Sequence, residues 1–182
     1  MCDKDKSVFG KMTKKAVTLL AVLLMASVPL AAFAEDEPVT MDQVNAILKT
    51  TRNFSGMNLS SLDLRGLDMN RAVFREANLK SARLDNAKLQ EADFGGARMI
   101  YIHLTNADLR RANLVNADLN CATLHNADFS DADLSGANLE LTDLKGADLT
   151  GDNLDGVILK KTKIIEAVNL DKAKNKDKVT NK

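Results

Sequence analysis

From Phe54 to Ile164 an apolar residue returns at every fifth position without a skipped register: Phe54, Leu59, Leu64, Met69, Phe74, Leu79 and onward. All 23 such positions hold Leu, Phe, Met or Ile. A period of five belongs to neither a helix, which repeats its apolar face at three and four, nor a strand, which alternates at two. It resolves instead into two plus three. Ala stands two residues before the large apolar residue in 14 of the 16 repeats from Ala72 to Ala147, and residues two apart on an extended segment face the same way. The remaining step of three must turn the chain so that it faces inward again. Gly66, Asn86, Gly96, Asn106, Asn116, Asn126, Gly136 and Gly146 stand at that corner, and Gly and Asn tolerate positive φ.

Short sides joined by sharp corners must wind into a coil, hydrogen-bonded to the coils above and below at a spacing of about 4.8 Å. Phe54, Phe74 and Phe94 lie 20 residues apart. Four sides per coil would stack them in one column and put Phe129 on another face; three would scatter them. The residue between Ala and Leu is commonly Asp or Asn, as in Ala107-Asp108-Leu109 and Ala112-Asn113-Leu114. With that feature, residues 52–165 resemble the pentapeptide-repeat family, whose repeat is written A(D/N)LXX. The resemblance implies an all-β fold, a right-handed quadrilateral parallel β-helix with four repeats per coil. It says almost nothing about function. Twenty-three repeats would make almost six coils, a body about 28 Å long at strand spacing.

The chain outside the repeat divides into three parts. Lys4, Lys6, Lys11, Lys14 and Lys15 precede the apolar run from Ala16 to Ala31, which ends in Ala32-Phe33-Ala34 before Glu35-Asp36-Glu37. This reads as a signal peptide, residues 1–34, cleaved after Ala34, so that the membrane is met only transiently and the mature protein is periplasmic or secreted. An uncleaved anchor is the alternative, since about 18 apolar residues just span a bilayer; Pro29 and the Ala-rich end favour cleavage. Residues 35–51 hold a capping box in Thr40-Met41-Asp42-Gln43, with Met41, Val44, Ile47 and Leu48 on one face, which predicts a helix over 41–49 covering the first coil. Residues 166–182 are Lys-rich and are expected to be a disordered basic tail. Asp152, at an inward position, is expected where the last coil opens to water.

Composition excludes several functions. Formal net charge is zero for the whole chain, and cleavage leaves 20 Lys/Arg against 23 Asp/Glu, a net of −3. A generic nucleic-acid binder should be strongly basic. Cleavage also removes Cys2 and leaves Cys121 alone, so no disulfide closes within the mature chain. No phosphate loop, nucleophile elbow or zinc motif is present. Asp108, Asp118, Asp128, Asp133, Asp143 and Asp148 recur because the repeat recurs, and carboxylates spread over several faces do not converge on a reaction centre. Residues 112–156 carry nine acids and only Lys145, a net of −8. In sign this resembles the duplex-like surface of the quinolone-resistance members of the family, which act on DNA gyrase.

Departures from the repeat single out one corner. With four sides per coil, Ser61, Ser81, Tyr101, Cys121, Leu141 and Lys161 form a column, with Ile100 beside Tyr101 and with His103 and His125 on the adjoining face. An apolar column rimmed by polar residues suggests a protein contact, either an unidentified partner or a homodimer centred on Cys121. A metal such as zinc shared by His103, Cys121 and His125 is a second reading. The plain alternative is neutral drift at a surface corner, with Tyr101 packed over it, because single exposed apolar residues are common. The sequence therefore reads as an exported, non-enzymatic scaffold without cofactor or resident metal, binding protein through Ile100, Tyr101, His103, Cys121, His125 and Leu141. A DNA-mimicking topoisomerase ligand is the other reading.

Overall fold

The computed structural model describes residues 38–164 and 166–180; the expected signal peptide lies outside them. The body is a right-handed quadrilateral β-helix. Parallel bridges join residues 20 apart throughout its length, on four faces. Face 1 carries the bridge residues Asn53, Val73, Asp93, Asn113 and Asp133; face 2 carries Asn58, Asn78, Arg98, Asp118 and Asn138. Face 3 carries Asp63, Arg83, His103, Thr123 and Asp143, and face 4 carries Asp68, Lys88, Asp108, Asp128 and Asp148.

The five-residue unit closes its own hydrogen-bond account. In the repeat from Ala112 to Asn116, the Ala112 N–H donates to Leu109 O at 3.0 Å and closes the preceding turn. Asn113 donates to Ala92 O at 2.9 Å in the coil before, while Leu114 and Asn116 donate to Asp133 O and Ser135 O at 2.7 and 2.9 Å in the coil after. That leaves one N–H, on Val115. It donates to Oδ1 of Asn113 at 3.1 Å. A buried or half-buried backbone donor must find a partner, and the Asp or Asn two residues earlier is that partner. The same bond recurs from Ser55 to Asp155, for example Ser130 to Asp128 at 2.9 Å and Ser135 to Asp133 at 3.0 Å. The Asp/Asn preference of the repeat is thus a backbone requirement.

The corner residue has positive φ at every fifth position from Gly56 to Lys161, whether or not it is glycine. Each corner is closed by its fourth residue's N–H donating to its first residue's carbonyl, the pattern of a type II turn, which demands positive φ at its third residue. Inside, the Leu and Ala rows are almost completely buried. Phe54, Phe74 and Phe94 stack with ring centroids 5.0 and 4.8 Å apart, the coil spacing itself.

Helix α1, Met41–Leu48, covers the first coil. Gln43 N donates to the Thr40 hydroxyl at 3.3 Å and Thr40 N donates to Gln43 Oε1 at 2.8 Å, a closed capping box. Val44 and Ile47 are buried, above a coil whose inward Met57, Leu62 and Leu67 are half-buried. Among the described residues no helix is long and apolar enough to cross a membrane.

At the other end two expectations are overturned. The Lys-rich segment expected to be disordered continues the coil over its described residues, 166–180: Val168 bridges to Asp148, Lys174 to Asn153 and Thr180 to Ile158. Two single-turn 3₁₀ helices, Leu170–Lys172 and Lys176–Lys178, widen its corners. Asn169 and Asn175 take positive φ and donate side-chain N–H bonds to Asp148 and Asn153. The repeat's chemistry therefore persists after its spacing has failed. The second concerns Asp152, which is fully buried rather than open to water, because this added coil lies over it.

Candidate functional site

The corner between faces 2 and 3 carries Ser61, Ser81, Tyr101, Cys121, Leu141 and Lys161. Successive members sit one coil apart, since each donates its N–H to the carbonyl just before the next: Tyr101 to Asn120 O at 3.0 Å, Cys121 to Glu140 O at 3.0 Å, Leu141 to Lys160 O at 3.0 Å. Tyr101 and Leu141 are 51% and 47% exposed, large apolar residues laid open on either side of half-buried Cys121. The thiol donates to Asn120 Oδ1 at 3.1 Å. Ile100 is half-buried and His103 exposed.

This corner keeps the left-handed backbone of the others without the residues that suit it best. All six of its residues hold positive φ, and none is Gly or Asn. Left-handed φ disfavours L side chains with a Cβ, most of all bulky ones. Inward of the corner the Ala rule also fails: Ile102 follows Tyr101 and Thr142 follows Leu141, both buried. These are the two exceptions among the 16 Ala positions. Thr142 keeps its hydroxyl satisfied by donating to Leu119 O at 2.8 Å. On face 3, His103 stands where Asp or Asn would accept a backbone N–H, and Thr105 donates instead to Asp85 in the coil before, at 3.3 Å.

His103 sits on face 3, and His125 stands one coil on in the turn that ends that face. His125 Nε2 lies 3.2 Å from Asp143 Oδ2, and Lys163 Nζ lies 3.3 Å from the same oxygen. Burial pushes the Asp143 carboxyl up, but bonds from His125, the Lys145 N–H and Lys163 hold it below the usual range. Among the described residues no three His, Cys, Asp or Glu side chains converge to hold a metal; Cys121 is engaged with Asn120 and His125 lies against Asp143 instead. The acids are dispersed. Asp118 is on face 2, Asp133 on face 1 and Asp143 on face 3, while Asp108, Asp128 and Asp148 share face 4. Arg110 bridges two of these, 2.8 Å from Asp108 and 3.7 Å from Asp128. Its hydrogen bond lowers the Asp108 carboxyl to about 2.

A second corner, between faces 4 and 1, escaped the sequence reading. Arg71, Glu91, Arg111 and Asp131 stack there in alternating charge, all at positive φ. Glu91 accepts from Arg71 at 2.9 Å and pairs with Arg111 at 2.8 Å. A polar groove of about 410 Å³ opens beside it, reaching Arg52, Asn70 and Gln90. The charge alternation every 20 residues was the available signal.

Fold and surface together define a stacked solenoid that presents its side chains in vertical columns. The chain belongs to the pentapeptide-repeat family: the model "Pentapeptide repeats" matches in 8 copies over residues 53–90, 87–127 and 122–160. Among solved structures, a pentapeptide repeat protein from the thylakoid lumen of Arabidopsis thaliana is 30% identical, with a TM-score of 0.52 over 54% of this chain and 68% of that one. Rfr23, from the cyanobacterium Cyanothece 51142, is 24% identical at a TM-score of 0.40 over 79% of this chain and all of its own. The plasmid-mediated fluoroquinolone resistance protein QnrB1 is 22% identical at 0.36, over 63% and 64%. A comparison with curated proteins gave no match.

Proposed function

We propose that this protein is an exported, non-enzymatic scaffold that binds another protein along the Tyr101 corner, with Ile100, Tyr101 and Leu141 as apolar anchors and His103, Cys121 and His125 as the adjoining polar surface. One observation carries the reading: large apolar side chains occupy left-handed corners that Gly or Asn would fill without strain, and they do so in one column. Residues held in a disfavoured conformation at the surface point to a use for the side chain. Export rests on the basic and apolar segment ending at Ala34; the lumenal setting of the Arabidopsis relative is a parallel for a family member outside the cytoplasm. The DNA-mimic reading is weaker, because the acids divide among four faces and Arg110 neutralises part of the one acidic column.

The test is Tyr101→Gly with Leu141→Gly in the secreted protein, read by sedimentation and by crosslinking in the native compartment. Retained folding with loss of the crosslinked or dimeric species is the expected result. Wild type that sediments as a monomer and crosslinks to nothing, or a variant that keeps every contact, would overturn the reading.

A further inference from the structure

Asp152 occupies a position that elsewhere in its column belongs to Ala72, Ala92, Ala112 and Ala132. It is fully buried. Oδ1 accepts one bond, from the Ala132 N–H at 2.9 Å, and Oδ2 has no partner. Asp128 and Asp131 on the coil before and Asp148 on its own coil face it as like charges, and with burial as the larger cause they raise its carboxyl to about 8. On the segment that covers it, Asp171, Lys172 and Lys174 are exposed, and among the described residues no cation pairs with it. Its roof is Ala173, while Lys174 N donates to the Asp152 carbonyl at 2.7 Å.

We propose that Asp152 is a proton-operated latch that holds segment 166–180 closed over the last coil when neutral and releases it when ionised. An unpaired charge in an apolar setting is strongly disfavoured, and the least demanding escape is to lift the roof. That roof buries little: among its described residues Ala173 is the buried apolar one, so it is held by backbone bonds at its bridges, and few apolar contacts lower its opening free energy. The segment carries the carbonyls of Val168, Lys174 and Thr180, which accept from Leu149, Leu154 and Leu159 at 3.1, 3.1 and 3.0 Å. Release therefore uncovers a row of backbone donors at the solenoid's end, an edge open to another strand.

The direction with pH follows from the raised carboxyl. Below about pH 4 both closed and open forms are protonated; between there and about 8 the open form gives up a proton that the closed form keeps. Opening thus grows by up to ~tenfold per pH unit across that window and levels off above it. Amide hydrogen exchange on the secreted protein, corrected for intrinsic exchange chemistry, tests this against Asp152→Asn and Asp152→Ala. Protection at Val168, Lys174 and Thr180 should fall on the order of a hundredfold from pH 6 to 8 in wild type and stay level in both variants, with coils one to three unchanged throughout. A level wild type, or an equal fall in either variant, would overturn the latch. Asp152→Ala restores the residue typical of the column, so folding is retained.

Discussion

Two corners of the same coil solve one backbone problem in opposite ways. On the corner between faces 3 and 4, Asn86, Asn106 and Asn126 bond side chain to side chain up the stack, each at 3.3 Å, and Gly146 completes the series. Across face 3, Ser81, Tyr101, Cys121 and Leu141 adopt the same φ with side chains that gain nothing from it. In the coil from Gly136 to Gly156 the contrast is sharpest, since Leu141 is the one corner of that turn not occupied by glycine. The fold therefore does not ask for Tyr101 or Leu141. It tolerates them.

The comparison can be broken from the inside first. Ala112→Leu, on face 1 across the core from both corners, should overpack the buried Ala row and cost about 1–3 kcal/mol in denaturant unfolding; a neutral outcome would mean that the core on which both corners rest is not close-packed. Asn106→Leu makes the Asn corner resemble its neighbour. Two amide bonds disappear and a branched side chain enters left-handed φ, so a loss of about 1–2 kcal/mol is expected. Leu141→Gly performs the reverse exchange. Relief of left-handed φ, about 1–2 kcal/mol, outweighs the added freedom of the unfolded chain, about 0.4–1 kcal/mol. Thermal unfolding should rise slightly, while binding is lost. A clear fall in stability would instead make Leu141 a structural residue. Smallest of all, Glu91→Gly on the charged corner exchanges two exposed ion pairs for an easier corner, and should stay within about 0.5 kcal/mol at moderate salt.

Most of the architecture was legible because one requirement is written 23 times. The inward rows, the Phe column, the capping box and the corner register all follow from spacing. Less legible was the reason for Asp and Asn in the middle of the repeat: only the hydrogen-bond account shows that the Val115 N–H has no backbone acceptor and that Asn113 supplies one. The C-terminal coil was missed because Lys174 and Thr180 pair at separations of 21 and 22 residues, which a five-residue count cannot register, and because a Lys-rich composition argues for disorder in isolation. The Tyr101 column was found by counting in twenties. Its strain was implied by the Gly and Asn of the same register, but that all six members share it shows only in the φ angles, and the Arg71, Glu91 and Arg111 stack escapes notice because charged residues at a surface corner look ordinary.

Because every bridge in the body joins residues about one coil apart, no contact needs a distant part of the chain. A growing polypeptide can close its first turn as soon as two coils' length has emerged, with α1 and the Phe54–Phe74 pair already in hand. Each later coil then has a finished template to add to, so the architecture allows assembly to run in the direction of synthesis. The irregular coil over Asp152 follows the regular ones in the chain, so it closes on a stack that is already formed beneath it.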